Sequence, residues 1–322
     1  MSAVRQFNNS DDANFNADGK LRIALAGNPN CGKTTVFNGY TGARQHVGNY
    51  PGVTVDRKEG HITVGDTQVT LVDLPGTYSL TAYSMEELVA RRELAAGNVQ
   101  AVIDVVDASA LERNMLLTVQ MLEMGVPVVL CCNMMDEARA AGIHIDMERL
   151  SSLMGIPVMP MVARSGEGLT EAMKVAIQLA KEGKRNALRI SYGSDIDPVL
   201  LDMEKRIEDT GLLARKYMPH WVALKMLEAD SEILSEVRAA NAELFEELDS
   251  MRKKTISHVR STLNTNLESI ITDYRYGFIR SLLRDGIVTQ DAGKDRLAIS
   301  DKLDRVLTNA LLGPIIMIGV LY

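Results

Sequence analysis

One short segment constrains the fold more than any other part of the chain. It reads Gly27-Asn28-Pro29-Asn30-Cys31-Gly32-Lys33-Thr34 and follows the pattern G-x-x-x-x-G-K-T. The apolar run at 21–26 predicts a buried strand before it, and residues 34–40 can form a helix after it. In this setting, backbone N–H groups and the positive end of the helix face a bound phosphate. The segment therefore predicts a phosphate-binding P-loop rather than a chance glycine turn.

The residue types in this loop suit the phosphates of a nucleotide. Gly27 and Gly32 let the backbone bend so that its N–H groups face the β-phosphate. Lys33 is long enough to reach the β- and γ-phosphates, and the Thr34 hydroxyl can hold Mg²⁺.

Strand and helix patterns alternate over residues 21–183. The best predicted strands, at 100–106 and 126–132, are apolar on both faces, which is typical of a parallel sheet covered by helices on both sides. We expect a Ras-like P-loop fold with a mostly parallel six-stranded sheet, in which 61–64 and 68–73 form an antiparallel hairpin. The six predicted strands are 21–26, 61–64, 68–73, 100–106, 126–132 and 156–160.

The chain has 322 residues, for which two domains are the default expectation. Strand signals end near residue 190, and helical periodicity predicts a second, all-helical domain. We predict a disordered tail at 1–20, the P-loop domain at 21–188 and the helical domain at 189–308. The uncharged run at 309–322 predicts the start of a transmembrane helix, with a buried terminal helix as the alternative.

Composition excludes several classes of protein. The net charge is −7 and we find no basic stripe, which argues against a nucleic-acid partner. Three cysteines without a C-x-x-C pattern argue against a disulfide framework or a zinc site. We interpret Cys31, Cys131 and Cys132 as small buried thiols.

Two further motifs fit the γ-phosphate side of a switch GTPase. Asp73-Leu74-Pro75-Gly76 follows a predicted strand about 40 residues after the P-loop; Asp73 could hold a Mg²⁺-bound water and Gly76 could donate its N–H to the γ-phosphate. The Gly- and Pro-containing segment 47–54 predicts a loop without stable structure, in which Thr54 could reach Mg²⁺ and the γ-phosphate.

The motif Asn133-Met134-Met135-Asp136 fits recognition of guanine. The Asp136 carboxylate can accept both the ring and the amino N–H of guanine, whereas adenine would leave it unpaired. The Asn133 amide could meet O6 and N7 of the base or tie its loop to the P-loop. Met134 stands where the usual N-K-x-D motif has Lys, and its apolar stem could cover the base. The Ala163-Arg164-Ser165-Gly166 backbone could close over O6.

Thr77 follows Gly76, where Ras-type enzymes have the Gln that orients the attacking water. We therefore expect slow intrinsic hydrolysis or another form of assistance. One hypothesis is a monovalent cation held by Asn30, which predicts different turnover in KCl and NaCl. Glu86 and Glu87 could position the water, but capping or solvating a helix is the preferred interpretation.

As a set, these motifs resemble the cytosolic N-terminal part of the bacterial ferrous-iron transport protein B family, and the similarity runs from about residue 20 to residue 322. This resemblance implies a GTPase domain, a helical domain that slows GDP release, a polytopic inner-membrane part that moves Fe²⁺, and K⁺ activation through Asn30. Small accessory iron-transport proteins and a homotrimer are further partners to test. The stretches that carry the resemblance are 27–38, 47–55, 73–80, 133–136 and 273–279.

Together the motifs and the resemblance predict a GTP-binding and GTP-hydrolysing module at the cytoplasmic face of the inner membrane. The alternatives are a soluble GTPase of ribosome or tRNA maturation and a nucleotide sensor that does not hydrolyse GTP. Catalytic roles fall on Lys33, Thr54 and Gly76, Mg²⁺ binding on Thr34, Thr54 and Asp73, and K⁺ binding on Asn30. The predicted nucleotide-binding residues are Gly27, Asn28, Pro29, Asn30, Cys31, Gly32, Lys33, Thr34, Thr35, Gly52, Val53, Thr54, Asp73, Leu74, Pro75, Gly76, Asn133, Met134, Asp136, Val162, Ala163 and Arg164.

Overall fold

A computed structural model describes residues 20–42, 45–50, 53–81, 83–184, 187–214 and 216–291. Its strands are Leu21–Gly27 (β1), Gln45–Asn49 (β2), Asp56–Val64 (β3), Thr67–Asp73 (β4), Ala101–Asp107 (β5), Val128–Asn133 (β6), Ile143–Ile145 (β7), Val158–Pro160 (β8) and Val288–Gln290 (β9). Its α-helices are Lys33–Thr41 (α1), Met85–Ala95 (α2), Leu111–Glu123 (α3), Met135–Ala140 (α4), Met147–Met154 (α5), Leu169–Glu182 (α6), Asp197–Thr210 (α7), Pro219–Leu227 (α8), Ser231–Ala240 (α9), Ala242–Leu263 (α10) and Leu267–Leu283 (α11).

The main sheet has the strand order β2-β3-β4-β1-β5-β6-β8. β1 pairs in parallel with β4 and β5, and β6 pairs in parallel with β5 and β8. β3 and β4 form the predicted antiparallel hairpin, in which Val64 faces Thr67 across the turn. The mostly parallel sheet is therefore confirmed, and the carboxyl ends of β1, β4, β5 and β6 meet at one edge.

Helices cover both faces of this sheet, as predicted. Along β5, Val102 and Val106 belong to the apolar cluster on the α2 and α3 side. Ile103 and Val105 belong to the cluster on the α1 and α6 side. Successive side chains of a strand point to opposite faces, so a continuous apolar run fills both layers.

The predicted sheet was one strand too small. The structure has seven strands because Gln45–Asn49 pairs antiparallel with β3, so the segment 47–54 is partly a strand rather than wholly a loop. All five residues of β2 are exposed. Main-chain pairing with an existing sheet edge, not burial of apolar side chains, therefore forms this strand, and a hydrophobic pattern could not reveal it.

The second part of the chain contains α7 to α11. Its core is continuous with the α2 and α3 side of the sheet, because Trp221 and Ile271 share one apolar cluster with Met115 and Leu122. The expectation of an all-helical second part is wrong in one detail. β9 pairs antiparallel with β7, with Ile143 opposite Gln290; such a short strand carries no periodic signal.

Some predicted segments lie outside the described residues. These include residues 1–19 of the predicted tail and the whole run at 309–322. Among the residues that are described, no helix is both long and apolar enough to cross a bilayer.

Candidate functional site

The P-loop connects β1 to α1 at the carboxyl edge of the sheet. Gly27 has φ +153° and Gly32 has φ +88°, a region that side chains strongly disfavour. A Cβ atom on Gly27 would lie 2.4 Å from the Val105 carbonyl oxygen, and one on Gly32 would lie 2.3 Å from Asn133 Nδ2. Both glycines are therefore required by backbone conformation and by space. Gly32 also precedes α1 without a side-chain cap from the described residues, which leaves the first N–H groups of α1 suited to an anion.

Asp73 and Gly76 lie beside this loop. Lys33 Nζ donates a hydrogen bond to Asp73 Oδ1, and the two side chains are only 11% and 9% exposed. A Cβ atom on Gly76 would lie 3.5 Å from Pro29 N, so the turn after β4 packs against the P-loop. Leu74 N also donates to Leu25 O at 3.0 Å. Parallel pairing of β4 with β1 thus brings Lys33, Asp73 and Gly76 together beside the P-loop.

Asn133 ties three loops together at this edge. Its Nδ2 donates to Cys31 O at 2.9 Å, and its Oδ1 accepts from Ala163 N at 2.9 Å. The side chain is buried at the end of β6. Of the two roles that the sequence allowed for Asn133, the geometry favours the tie between loops, because both ends of the amide are engaged by backbone groups.

The residues after Asn133 lead from β6 into α4. Met134 adopts a left-handed conformation, with φ +59°, and is the N-cap residue that precedes α4. Its Cε lies 3.6 Å from a Cβ built on Gly32, so the apolar stem extends beside the P-loop as expected for a covering residue. Asp136 is exposed in the first turn of α4. On the opposite side, Ala163 is buried and Arg164 is exposed.

The remaining predicted residues differ in their exposure to solvent. Thr34 and Thr35 are exposed at the start of α1, and Asn30 is exposed with φ +67°. Thr54 is exposed in the turn between β2 and β3, next to the half-buried Val53. Gly52 lies outside the described residues. Pro75 is half-buried in the turn after β4, and Val162 is buried and forms a bridge with Glu167.

Two family models match this chain. The family model described as ferrous iron transport protein B matches residues 21–176, and the model described as FeoB cytosolic helical domain matches residues 192–288. The chain is 32% identical to an S. thermophilus NFeoB mutant solved with GDP, covering 82% of this chain and 98% of that one with a TM-score of 0.73.

This chain belongs to the FeoB family. It is also similar to the cytosolic domain of the T. maritima FeoB iron transporter in its GMPPNP form, with a TM-score of 0.70 and 32% identity over 82% of this chain and 98% of that one. A Porphyromonas gingivalis fusion of Fe(2+) transport protein A with the Fe(2+) transporter FeoB is 41% identical over 91% of this chain and 35% of its own length. The chain spans about a third of the length of the curated FeoB relatives it matches.

Asn28 and Glu87 add detail to the site of this FeoB-family chain. The amide atoms of Asn28 are buried without a hydrogen-bond partner among the described residues, which only packing reveals. Glu87 accepts hydrogen bonds from the Ser79 and Thr81 hydroxyls at 2.6 and 3.0 Å and from Tyr83 N at 2.9 Å. It also forms a capping box with Ser84. The predicted capping role is confirmed for Glu87. The S-x-x-E spacing of Ser84 and Glu87 is the sequence signal for a capping box, and it could have identified the partner.

The three cysteines are free and buried, as interpreted from the sequence. Burial raises the pKa of Cys31 and of Cys132 to about 12, and it raises the pKa of Cys131 well above its ordinary value. These thiols are therefore protonated at neutral pH and pack as small apolar side chains.

Proposed function

We propose that this chain binds and hydrolyses GTP as the regulatory module of a bacterial ferrous iron transporter. The observation that carries the proposal is the convergence of three loops around Asn133, beside the Lys33–Asp73 pair. The solved FeoB relatives with GDP and in the GMPPNP form support a guanine nucleotide as the ligand.

Each part of the edge has a role toward the nucleotide. Lys33 and the P-loop amides would neutralise the β- and γ-phosphates, and Gly76 would sense the γ-phosphate through its N–H. Asp136 and the Ala163 backbone would read guanine, under the stem of Met134. Asn133 would hold these loops in register rather than contact the base.

The oxygen donors of Thr34, Thr54 and Asp73 suit Mg²⁺, which prefers hard oxygen ligands. The carboxylate of Asp73 is already turned toward the P-loop through its contact with Lys33. When bound, the metal ion would neutralise charge that develops on the phosphate oxygens.

A K⁺ ion held by the exposed Asn30 amide would supply charge that an arginine finger provides elsewhere. We expect slow turnover because no Gln follows Gly76. Turnover should be faster in KCl than in NaCl because K⁺ would supply the charge at Asn30. Equal rates in the two salts would contradict the role of Asn30. If no single-turnover hydrolysis occurs in KCl or in NaCl, the result would instead favour a nucleotide sensor that does not hydrolyse GTP.

The activity of the whole protein is part of the same proposal. We infer that residues 21–188 form the GTPase domain and that 189–308 form the helical domain that slows GDP release. The run at 309–322 would lead into a membrane part of the same polypeptide, and the module would then lie at the cytoplasmic face of the inner membrane. Partners to test are accessory iron-transport proteins, suggested by the fused relative, and two further copies in a homotrimer.

The test is nucleotide selectivity. Wild type should bind GDP at least ~100-fold more tightly than ADP, since adenine leaves the Asp136 carboxylate unpaired. Asp136→Asn should weaken GDP and improve xanthosine diphosphate, whose donor pattern is changed. Glu137→Gln, at the adjacent exposed acid of α4, is the matched control and should leave selectivity unchanged. Equal binding of ADP and GDP by wild type would overturn the proposal.

A further inference from the structure

Three acidic residues lie in the turn between α8 and α9 and in the first turn of α9, and we call residues 228–232 the acidic turn. Its carboxylates belong to Glu228, Asp230 and Glu232. Ala229 adopts φ +57°, a left-handed conformation that is unfavourable for alanine. Asp230 caps α9 by accepting a hydrogen bond from Ile233 N at 3.1 Å. The turn is therefore a rigid, strained corner rather than a loose connection.

The acidic turn receives an arginine from the P-loop part of the chain. Arg91 of α2 is fully buried, and its guanidinium donates to Asp230 Oδ2 and Glu232 Oε2. The neighbouring Arg92 donates to Glu232 Oε1 at 2.6 Å. Arg91 also lies 6.0 Å from the ring centroid of Trp221. One α2 side chain thus bridges two carboxylates of the helical part.

A second buried arginine fixes the same turn from the other side. Arg275 of α11 donates to Glu228 and, at 2.8 Å, to Glu123 Oε2 at the end of α3. Lys225 Nζ lies 2.8 Å from Glu228 Oε2. Burial alone would raise the pKa of Glu228, but Arg275 and Lys225 outweigh it and lower this pKa to about 2. The Glu228 carboxylate is therefore ionised, and its ion pairs hold the acidic turn in place.

These buried pairs fix position more than they add stability. Burying an ion pair costs desolvation that its attraction only partly returns, whereas removing one partner leaves an uncompensated buried charge. A displacement of α2 from the acidic turn would leave the charge of Asp230 or Arg91 buried without its partner. Arg91 therefore holds α2 in a single register against the helical part.

The start of α2 carries this constraint to the nucleotide edge. Glu87, one helical turn before Arg91, accepts hydrogen bonds from Ser79 and Thr81. These residues belong to the short segment that follows Gly76. Gly76 itself packs against Pro29 of the P-loop. A fixed α2 therefore fixes the segment next to the predicted phosphate site.

We propose that Arg91 is a positioning residue for nucleotide retention, acting by docking α2 onto the acidic turn. This inference rests on the proposed guanine-nucleotide function. It names Arg91 and the acidic turn as the residues through which the helical part would slow GDP release. When the ion pairs of Arg91 with Asp230 and Glu232 are removed, α2 no longer holds the segment after Gly76 in place, and GDP dissociates faster.

The experiment measures dissociation of a fluorescent GDP analogue from the whole chain by stopped flow. Arg91→Met keeps the apolar stem and removes both ion pairs, and we expect the off-rate to rise at least ~5-fold, the lower end of coupling between sites. Arg91→Lys, which can reach only one carboxylate at a time, should fall between wild type and Arg91→Met. Arg280→Met is the matched control: it breaks a surface pair between α11 and Glu112 of α3, at 60% and 50% exposure, and should leave the off-rate within twofold.

Urea unfolding of the same variants separates positioning from stability. If Arg91→Met fails to fold, Glu232→Gln removes one of the two carboxylates that bind Arg91, leaves the Asp230 pair, and should still raise the off-rate by clearly more than the twofold range allowed for the control. Folded variants of Arg91 and Glu232 that release GDP at the wild-type rate would overturn the inference. A wild-type chain that binds no guanine nucleotide would overturn the proposed function instead, so the two failures are distinguishable.

Discussion

Replacing Asn133 with Ala tests whether the tie between loops shapes the nucleotide site. The change removes two hydrogen bonds of 2.9 Å and leaves Cys31 O and Ala163 N without their partner in a buried position. Each lost bond with an unsatisfied buried partner costs about 1–3 kcal/mol, so the total is about 2–4 kcal/mol when partial solvation is allowed for. If about 2 kcal/mol of this cost falls on the nucleotide-bound state alone, because only there are the loops held in place, GDP affinity falls ~30-fold.

The assay combines calorimetric GDP titration with urea unfolding. Asn114→Ala is the matched control, because Asn114 is also buried and also bonds two backbone groups, Ala110 O at 2.9 Å and Asp107 N at 3.4 Å, neither of which belongs to the P-loop or to the 163–166 loop. We expect both variants to lose stability and only Asn133→Ala to lose GDP affinity. GDP affinity within twofold of wild type in a folded Asn133→Ala protein would contradict a role for Asn133 in shaping the nucleotide site, as would an equal loss in Asn114→Ala.

Two further predictions concern Gly32 and Asp104. Gly32→Ala combines a disfavoured φ of +88° with a Cβ only 2.3 Å from Asn133 Nδ2; we expect at least ~10-fold weaker GDP binding, from about 1–2 kcal/mol of backbone strain plus a displaced amide, and unchanged titration would contradict this. Burial raises the pKa of Asp104 to about 7, against an opposing hydrogen bond from Thr118. The folded state therefore binds this proton more tightly than the unfolded chain, so stability falls as pH rises from about 4 to about 7 and is then level. Asp104→Asn keeps an acceptor for Thr118 and should remove that fall, a gain of up to about 4 kcal/mol at pH 8. Unfolding at pH 5 and pH 8 checks this against Asp209→Asn, an exposed carboxylate in α7, and parallel pH profiles for wild type and Asp104→Asn would contradict it.

Much of the fold could be predicted because its signals are local. The boundaries of β1 and α1 follow from an apolar run and a glycine-rich loop, and the hairpin of β3 and β4 follows from turn residues between two strand patterns. β2 could not be predicted, because its five exposed residues pair through the main chain alone. The β7–β9 pair could not be predicted either, because its partners are separated by more than a hundred residues and each strand has only three.

The candidate site divides in the same way. Its motifs name the residues, since glycine positions, Lys33, Asp73 and Asp136 each have a chemical reason to occur at their spacing. The sequence left two roles open for Asn133, and only the distances to Cys31 and Ala163 favour one of them.

The P-loop, the parallel sheet around it and the set of side chains available for nucleotide chemistry can all be derived from the amino-acid sequence. These depend on backbone geometry and on apolar patterns among neighbouring residues. Which side chains meet follows only from three-dimensional packing: Lys33 meets Asp73, Asn133 meets two loops, and Arg91 meets the acidic turn. Those contacts join residues from distant parts of the chain, and they exist only once packing has excluded water and fixed the helices against the sheet.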